Sequence, residues 1–417
     1  MTILNSIWRK LTNTKALEKS SGCLETQFFE TVYRVSYLTG ISMADEDIPY
    51  LIYSSVVKLL IFLLIVGEFW HLATEVTSFD EMADMVNITV IQYIAIFRYR
   101  SMLYHKDVYK KLAISMESQY FDISTKERRD VVDYWVKRNA NNVKLLLVLG
   151  NCTLIAWFLY PLVDDLEYNV FIGIRLPFPY YSPVCYAFVY LLLLIVFSYI
   201  SHFVMANDLI MQAHLLHMVC QFDVLCNCFE NLMEDCAKGF KGIDRESLLA
   251  NANYREVFKA RLGDMITQHR YILDHAMELR HTLSGPMLGQ LAASGTLICF
   301  IGYQATTSGA YNITKCLMSL FYLCYNLLVF YIICRWCEEI SVQSQRVGEA
   351  VYCSNWECGA SNIPGVKVSL LMVITRANKP LTLTAGGVYD LSLMTFSSIL
   401  KTSYSALTLL LRLKSTE

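Results

Sequence analysis

Charge is scarce in this sequence. Only 17% of its 417 residues are Asp, Glu, Lys or Arg, below the roughly 25% usual in soluble domains, while 55% are apolar. A soluble chain of this length would still need a polar surface over its core, and the charges are too few to supply one. Composition therefore points to a membrane protein. The net charge of −2 gives no electrostatic footprint for nucleic acid. Eight His are scattered, with no H-E-x-x-H and no paired metal spacing, so neither a metal nor any other cofactor is expected. The fourteen Cys form no framework. Cys334 and Cys337, like Cys226 and Cys228, fall in long helical patterns without partner ligands and read as free thiols. The opening segment through Gly22 lacks a continuous apolar stretch, so no secretory signal is expected.

What the chain does have is long apolar runs. Seven spans are expected: Leu51–Trp70, Met82–Phe97, Val143–Val163, one starting at Pro183, Ser284–Thr306, Cys316–Arg335 and Tyr389–Leu411, the scale of a bilayer-crossing helix. A further run, Val366–Thr375, is too short to cross. Lys and Arg then set orientation. The N-terminal arm carries Arg9, Lys10, Lys15, Lys19 and Arg34. The loop after the second span carries about ten, Arg98, Arg100 and Arg128 among them, and the loop after the fourth about eight. The other side is nearly bare, holding Arg175 and Lys315. The N-terminus is therefore expected in the cytosol and the C-terminus outside, opposite to a G-protein-coupled receptor.

The fourth span runs from Val184 to Lys238 without Gly or Pro, roughly 55 residues or about 80 Å if helical throughout. Such a helix would project well into the cytosol. Its lower part spaces Phe222, Leu225, Phe229 and Leu232 at helical intervals. The sixth span likewise continues to Val347, and the fifth is preceded by a helical pattern. Apolar stripes beyond the membrane must bury against something, and a bundle of these extensions is the simplest partner. The fold class expected is thus an all-α membrane protein with seven transmembrane helices, helices four to six extended into a cytosolic bundle.

The last span carries a polar arc. Ser398, Lys401, Ser405, Thr408 and Arg412 fall within roughly 80° of one another on a helix. Lys401 facing lipid would cost at least about 2.5–3.5 kcal/mol. The arc suits either a water-filled pore or a seam packed against neighbouring helices. Leu409 and Leu413, one turn apart beside it, could form an apolar constriction.

Several local patterns resemble those of insect odorant receptors: LPFPYYSP at Leu176–Pro183, QFDVLCNCFENL at Gln221–Leu232, HRYIL at His269–Leu273 and AVYCSNW at Ala350–Trp356. RANKPLTLTAGG at Arg376–Gly387 and LSLMTFSSILKTSYSALTLL at Leu391–Leu410 complete the series, which covers most of the chain from Leu51 onward. The T-Y-x(5)-Q-F ending of the related gustatory receptors is absent, as is the long cytosolic insertion of the co-receptor. The likeness is to an odorant-specific tuning subunit. It implies a tetramer formed with co-receptor subunits around a central cation pore, in the plasma membrane of sensory neurons. It also implies a pore lined by the last helix (389–411), an anchor portion (206–283 and 336–383), and an outer-half pocket for a small volatile organic ligand.

Such a pocket should be apolar and aromatic with one or two hydrogen-bonding groups. The outer halves of the spans offer Gln92, Tyr93, Asn151, Trp157, Tyr160, Tyr186, Tyr190, Phe300, Tyr303, Phe321, Tyr322 and Tyr325. Trp157 and Tyr93 stand out because they lie well inside their spans. Asn312-Ile313-Thr314 is a glycosylation sequon in a loop expected outside. A secondary transporter is the competing class, but neither an inverted repeat nor paired broken spans are evident. An enzyme is not expected, because spans two to six hold no cluster of Asp, Glu or His.

Overall fold

The computed structural model describes residues 8–20, 22–163, 168–240, 245–308 and 313–416, and most of them are helical. Asn312 of the sequon lies outside the described residues. We label the main helices α1 (Leu24–Leu38), α2 (Ile48–Thr74), α3 (Phe79–Tyr104), α4 (Lys106–Ala113), α5 (Lys126–Val163), α6 (Pro183–Glu230), α7 (Ala252–Ser308), α8 (Ile313–Tyr352), α9 (Val366–Ala377) and α10 (Leu393–Thr416). The seven membrane helices are α2, α3, α5, α6, α7, α8 and α10.

Local chemistry fixes their starts. Ser78 caps α3 by accepting from the Glu81 amide (3.2 Å), with Asp80 and Glu81 in the positively polarised first turn. Ser182 caps α6 by accepting from the Cys185 amide, and Pro183 follows where a missing N–H does no harm. Five helices are long and apolar enough to cross a membrane on composition alone: α2, α5, α6, α7 and α8. The other two carry polar faces, α3 through Asp80, Asp84, Arg98 and Arg100, and α10 through its polar arc. Exposed apolar side chains such as Ile52, Leu59, Phe62, Phe188 and Leu191 form the lipid-facing surface.

Helices α6, α7 and α8 have 48, 57 and 40 residues. At about 1.5 Å per residue they far outrun a hydrocarbon core of about 30 Å. Their extensions pack on one another and on α1 and α5 at the end of the bundle that carries the N-terminus. Phe222, Leu225, Phe229 and Leu232 are completely buried there. The fourth span does not run unbroken to Lys238. It stops at Glu230, where Asn231 leaves the helix and hands on to a short helix, Leu232–Ala237.

Two further corrections concern boundaries. Arg98, assigned above to a loop, lies inside α3 and is buried. The last helix begins at Leu393 rather than Tyr389, because Tyr389 and Asp390 form a strand paired antiparallel with Thr384–Ala385. Gly386 and Gly387 turn that hairpin with φ of +62° and +73°, a region that L side chains resist. The Gly386 amide donates to the Ser284 carbonyl of α7 (2.8 Å), and Glu338 of α8 accepts from the Leu393 amide (2.8 Å). The start of α10 is thereby pinned to two neighbouring helices.

Candidate functional site

Helices α3, α5, α6 and α8 enclose a small, largely apolar cavity of about 70 Å³. The α3 wall is Ile88, Ile91 and Gln92, and the α5 wall is Gly150, Thr153, Leu154 and Trp157. Opposite them stand Phe197, Ile200 and Met205 of α6, with Tyr322 and Tyr325 of α8. The Trp157 indole lies nearly parallel to Phe197 (5.1 Å, 15°) and edge-on to Tyr322 (5.8 Å, 74°). Phe197 in turn packs on Phe171 from the loop before α6 (5.4 Å). The result is an aromatic box with few polar atoms.

Those few are specific. The Gln92 side-chain amide donates to Glu68 of α2 (3.1 Å), and Glu68 is fully buried. Gln92 Oε1, Glu68 Oε2 and the Trp157 indole N–H have no hydrogen-bond partner among the described residues. An unpaired buried polar atom is costly, and two of these three belong to residues that line the cavity, Gln92 and Trp157, where a ligand bearing a hydrogen-bonding group could meet them. The Tyr322 hydroxyl is already committed to the Asn87 carbonyl (3.2 Å), and that of Tyr325 to Asp208 (2.9 Å). Asp208 also takes the Arg98 guanidinium at 2.5 Å, and Arg98 donates to Gln290 of α7 at 2.6 Å. One buried network thus joins α3, α6, α7 and α8 at the cavity wall.

Of the candidate ligand residues, the structure brings together Gln92, Trp157, Tyr322 and Tyr325. Tyr93 is 67% exposed on the outer face of α3, away from the cavity. Phe321 is also turned outward. Asn151 bonds its own helix at Leu147 (2.7 Å), and Tyr160 is half-buried against the apolar core. The hydroxyls of Tyr186 and Tyr190 donate to backbone carbonyls of Asn169 and Phe158. Phe300 packs near Phe79 (6.3 Å), and Tyr303 donates to Asp80 (2.7 Å). Glu68 and the Arg98–Asp208 pair went unrecognised in the sequence. The signal was there, since a lone ionisable residue inside an apolar span needs a partner.

In α10 the polar arc faces away from the rest of the chain. Ser398, Lys401, Ser405, Leu409, Arg412 and Leu413 are exposed and Thr408 is half-buried. The opposite face is packed: the Ser403 hydroxyl donates to the Gly295 carbonyl of α7 (2.9 Å), and Leu407 lies against Gly302. A Cβ at Gly302 would stand 3.0 Å from the end of the Leu407 side chain, which would have to give by a few tenths of an ångström to admit it. Lys414, past the arc, holds Asp80 of α3 at 2.8 Å. All fourteen cysteines are free.

The sequence profile of the family described as "7tm Odorant receptor" matches residues 78–404. Among relatives, Odorant receptor 2a of Drosophila melanogaster is 28% identical over 137 residues, and Odorant receptor 13a of the same species is 24% identical over 287. The first match spans 33% of this chain and 34% of that receptor, about a third of each, and the second 66% of each. The fold resembles the structure of the insect olfactory receptor OR5 from Machilis hrabei in complex with eugenol. The TM-score is 0.76 at 16% identity, over 93% of this chain and 99% of that one.

Proposed function

The chain belongs to the odorant receptor family, and from that premise we propose that it is the odorant-sensing subunit of a ligand-gated, non-selective cation channel. In this reading it assembles with co-receptor subunits into a tetramer. A small volatile organic ligand enters the Trp157 cavity, and the α10 helices of the assembly line the conduction path. The N-terminus and the extensions of α6 to α8 lie in the cytosol, as the one-sided Lys and Arg distribution supports.

The observation that carries the proposal is the placement of the α10 arc. Ser403, bonded to α7, lies about 180° around the helix from the centre of the arc. The helix is therefore anchored by one face and offers its polar residues outward. A polar, charged stripe left uncovered within a membrane span needs water or a partner subunit, and a central pore supplies both. The ligand cavity is separate from this face, so binding would act on α10 through the packed helices between them.

Co-expression with an insect odorant co-receptor, with currents recorded across a panel of small apolar odorants, tests the proposal. Odorant-evoked cation currents that require this chain are expected. Currents identical without it, or substrate uptake without current, would contradict it, and the second result would favour a transporter.

A further inference from the structure

A second cavity lies at the end of the bundle that carries the N-terminus, walled by the Lys15–Lys19 helix, α1, α4 and α6. It holds about 1760 Å³ of space between atoms, its open side included. Its α6 residues, Ile210 and His214, stand roughly 30 residues beyond Pro183, about 45 Å along the helix. That places the cavity just past a hydrocarbon core of about 30 Å, at headgroup level.

The lining has two chemistries. Phe29, Val32, Ile41 and Tyr109 give an apolar floor. In the same wall, Ser36 and His214 are more than nine-tenths buried, yet Ser36 Oγ and His214 Nδ1 have no partner among the described residues. The imidazole is held between the Phe29 ring (4.8 Å) and the Tyr109 ring (5.1 Å). At the rim, most charges are already engaged. Lys15 pairs with Asp47 (2.6 Å), Glu117 accepts from the Leu24 amide at the start of α1 (2.6 Å), and Glu25 accepts from the Tyr33 hydroxyl (2.6 Å). Lys19 and Lys110 are exposed and form no ion pair among the described residues.

From this juxtaposition we infer that the cavity binds an amphiphile with an anionic carboxylate or phosphate head, its acyl chain on the Phe29 floor and its head at Lys19 and Lys110. An apolar chain fits the floor, and an oxygen near the neck of such a molecule meets the idle Ser36 and His214 atoms. Lys19 and Lys110 supply the positive charge that an anionic head would meet, beside the Glu25 and Glu117 carboxylates of the same lining. A free fatty acid and an anionic phospholipid of the adjacent leaflet share this chemistry. The site is distinct from the Trp157 cavity, and its occupancy does not depend on the channel reading.

The test is photolabelling of the purified full-length chain, reconstituted in phosphatidylcholine vesicles, with cross-linked peptides read by mass spectrometry. The probes are diazirine-bearing palmitate, its methyl ester, and diazirine-bearing phosphatidic acid. Label is expected in α1 around Phe29–Ser36 and in α4 around Tyr109–Ile114. It should fall at least fivefold in Lys19→Glu/Lys110→Glu, and palmitate should label at least fivefold more than its ester. Both lysines are exposed, so the variant tests recognition rather than folding. Labelling by palmitate alone assigns a free fatty acid, by phosphatidic acid alone a leaflet lipid, and by both either source. Ester labelling equal to that of the acid, labelling indifferent to the charge reversal, or label found only on lipid-facing spans would overturn the inference.

Discussion

The Arg98 guanidinium lies 2.5 Å from the Asp208 carboxylate, and both side chains are almost wholly shielded from solvent. They come from helices α3 and α6, and Asp208 also accepts from Tyr325 at the Trp157 cavity. A charge buried in a membrane bundle is tolerable only with its partner in place. The pair therefore fixes the mutual rotation of α3, α6 and α8, and with it the cavity wall.

Removing one partner strands the other. Arg98→Met or Asp208→Leu alone is expected to cost about 3–5 kcal/mol and to abolish surface expression, measured by surface biotinylation. The double variant, which removes both charges, should recover expression relative to either single one. A double variant as poor as the singles would mean that the two residues are not energetically coupled.

Trp157 is the next test. Trp157→Ala deletes one wall of the cavity and should raise the odorant concentration for half-maximal current about tenfold or more, the equivalent of about 1.4 kcal/mol or above. Truncating a buried Trp can also cost about 3–5 kcal/mol of stability, so surface expression is measured alongside, and Trp157→Phe serves as the milder variant. Tyr93→Ala, on the outward face of α3, should shift the response less than twofold. Equal shifts for Trp157→Phe and Tyr93→Ala would place the ligand elsewhere.

A pH dependence follows from the helix extensions. His214 and His217 lie in the part of α6 beyond the membrane, and burial pushes both imidazoles down to about 3. Unfolded imidazoles take up a proton near 6.5, so below that value acid favours the unfolded chain. Thermal stability of the purified chain should be flat above pH 7 and fall as pH drops through about 6.5, the loss continuing toward 3. His217→Gln should flatten the slope between pH 7 and 5. An unchanged slope would show that these imidazoles are not what couples folding to protons.

How far such features could be read in advance differs from residue to residue. The spans were legible because an apolar run of bilayer length has few alternatives, and the arc from Ser398 to Arg412 because helical periodicity survives in any context. Arg98 was misplaced for a physical reason: the bias that sets orientation treats Arg as a loop residue, and its partner Asp208 is 110 positions away. Gln92 and Tyr93 are neighbours separated by about 100° on one helix. Which of them faces the bundle is decided by α2, α5 and α8, not by α3 itself. Asn231 ended α6 where no Gly or Pro marked a break: its side-chain amide donates back to the Asn227 carbonyl (3.1 Å), a local stop that a search for Gly and Pro passes over.

The central claim is that the outward face of α10 meets water in a conducting assembly. Single cysteines at Ser405, Thr408 and Leu409, and at Leu407 on the α7-facing side, test it most directly. They are introduced in a background whose fourteen native cysteines have been made insensitive, co-expressed with the co-receptor, and exposed to a water-soluble thiol reagent, which reacts with the hydrated thiolate. The account predicts modification at Ser405, Thr408 and Leu409, faster in the presence of odorant and altering the current, with Leu407 inert. Equal reaction at all four positions, or reaction at Leu407 alone, would contradict it and make the arc a packing seam.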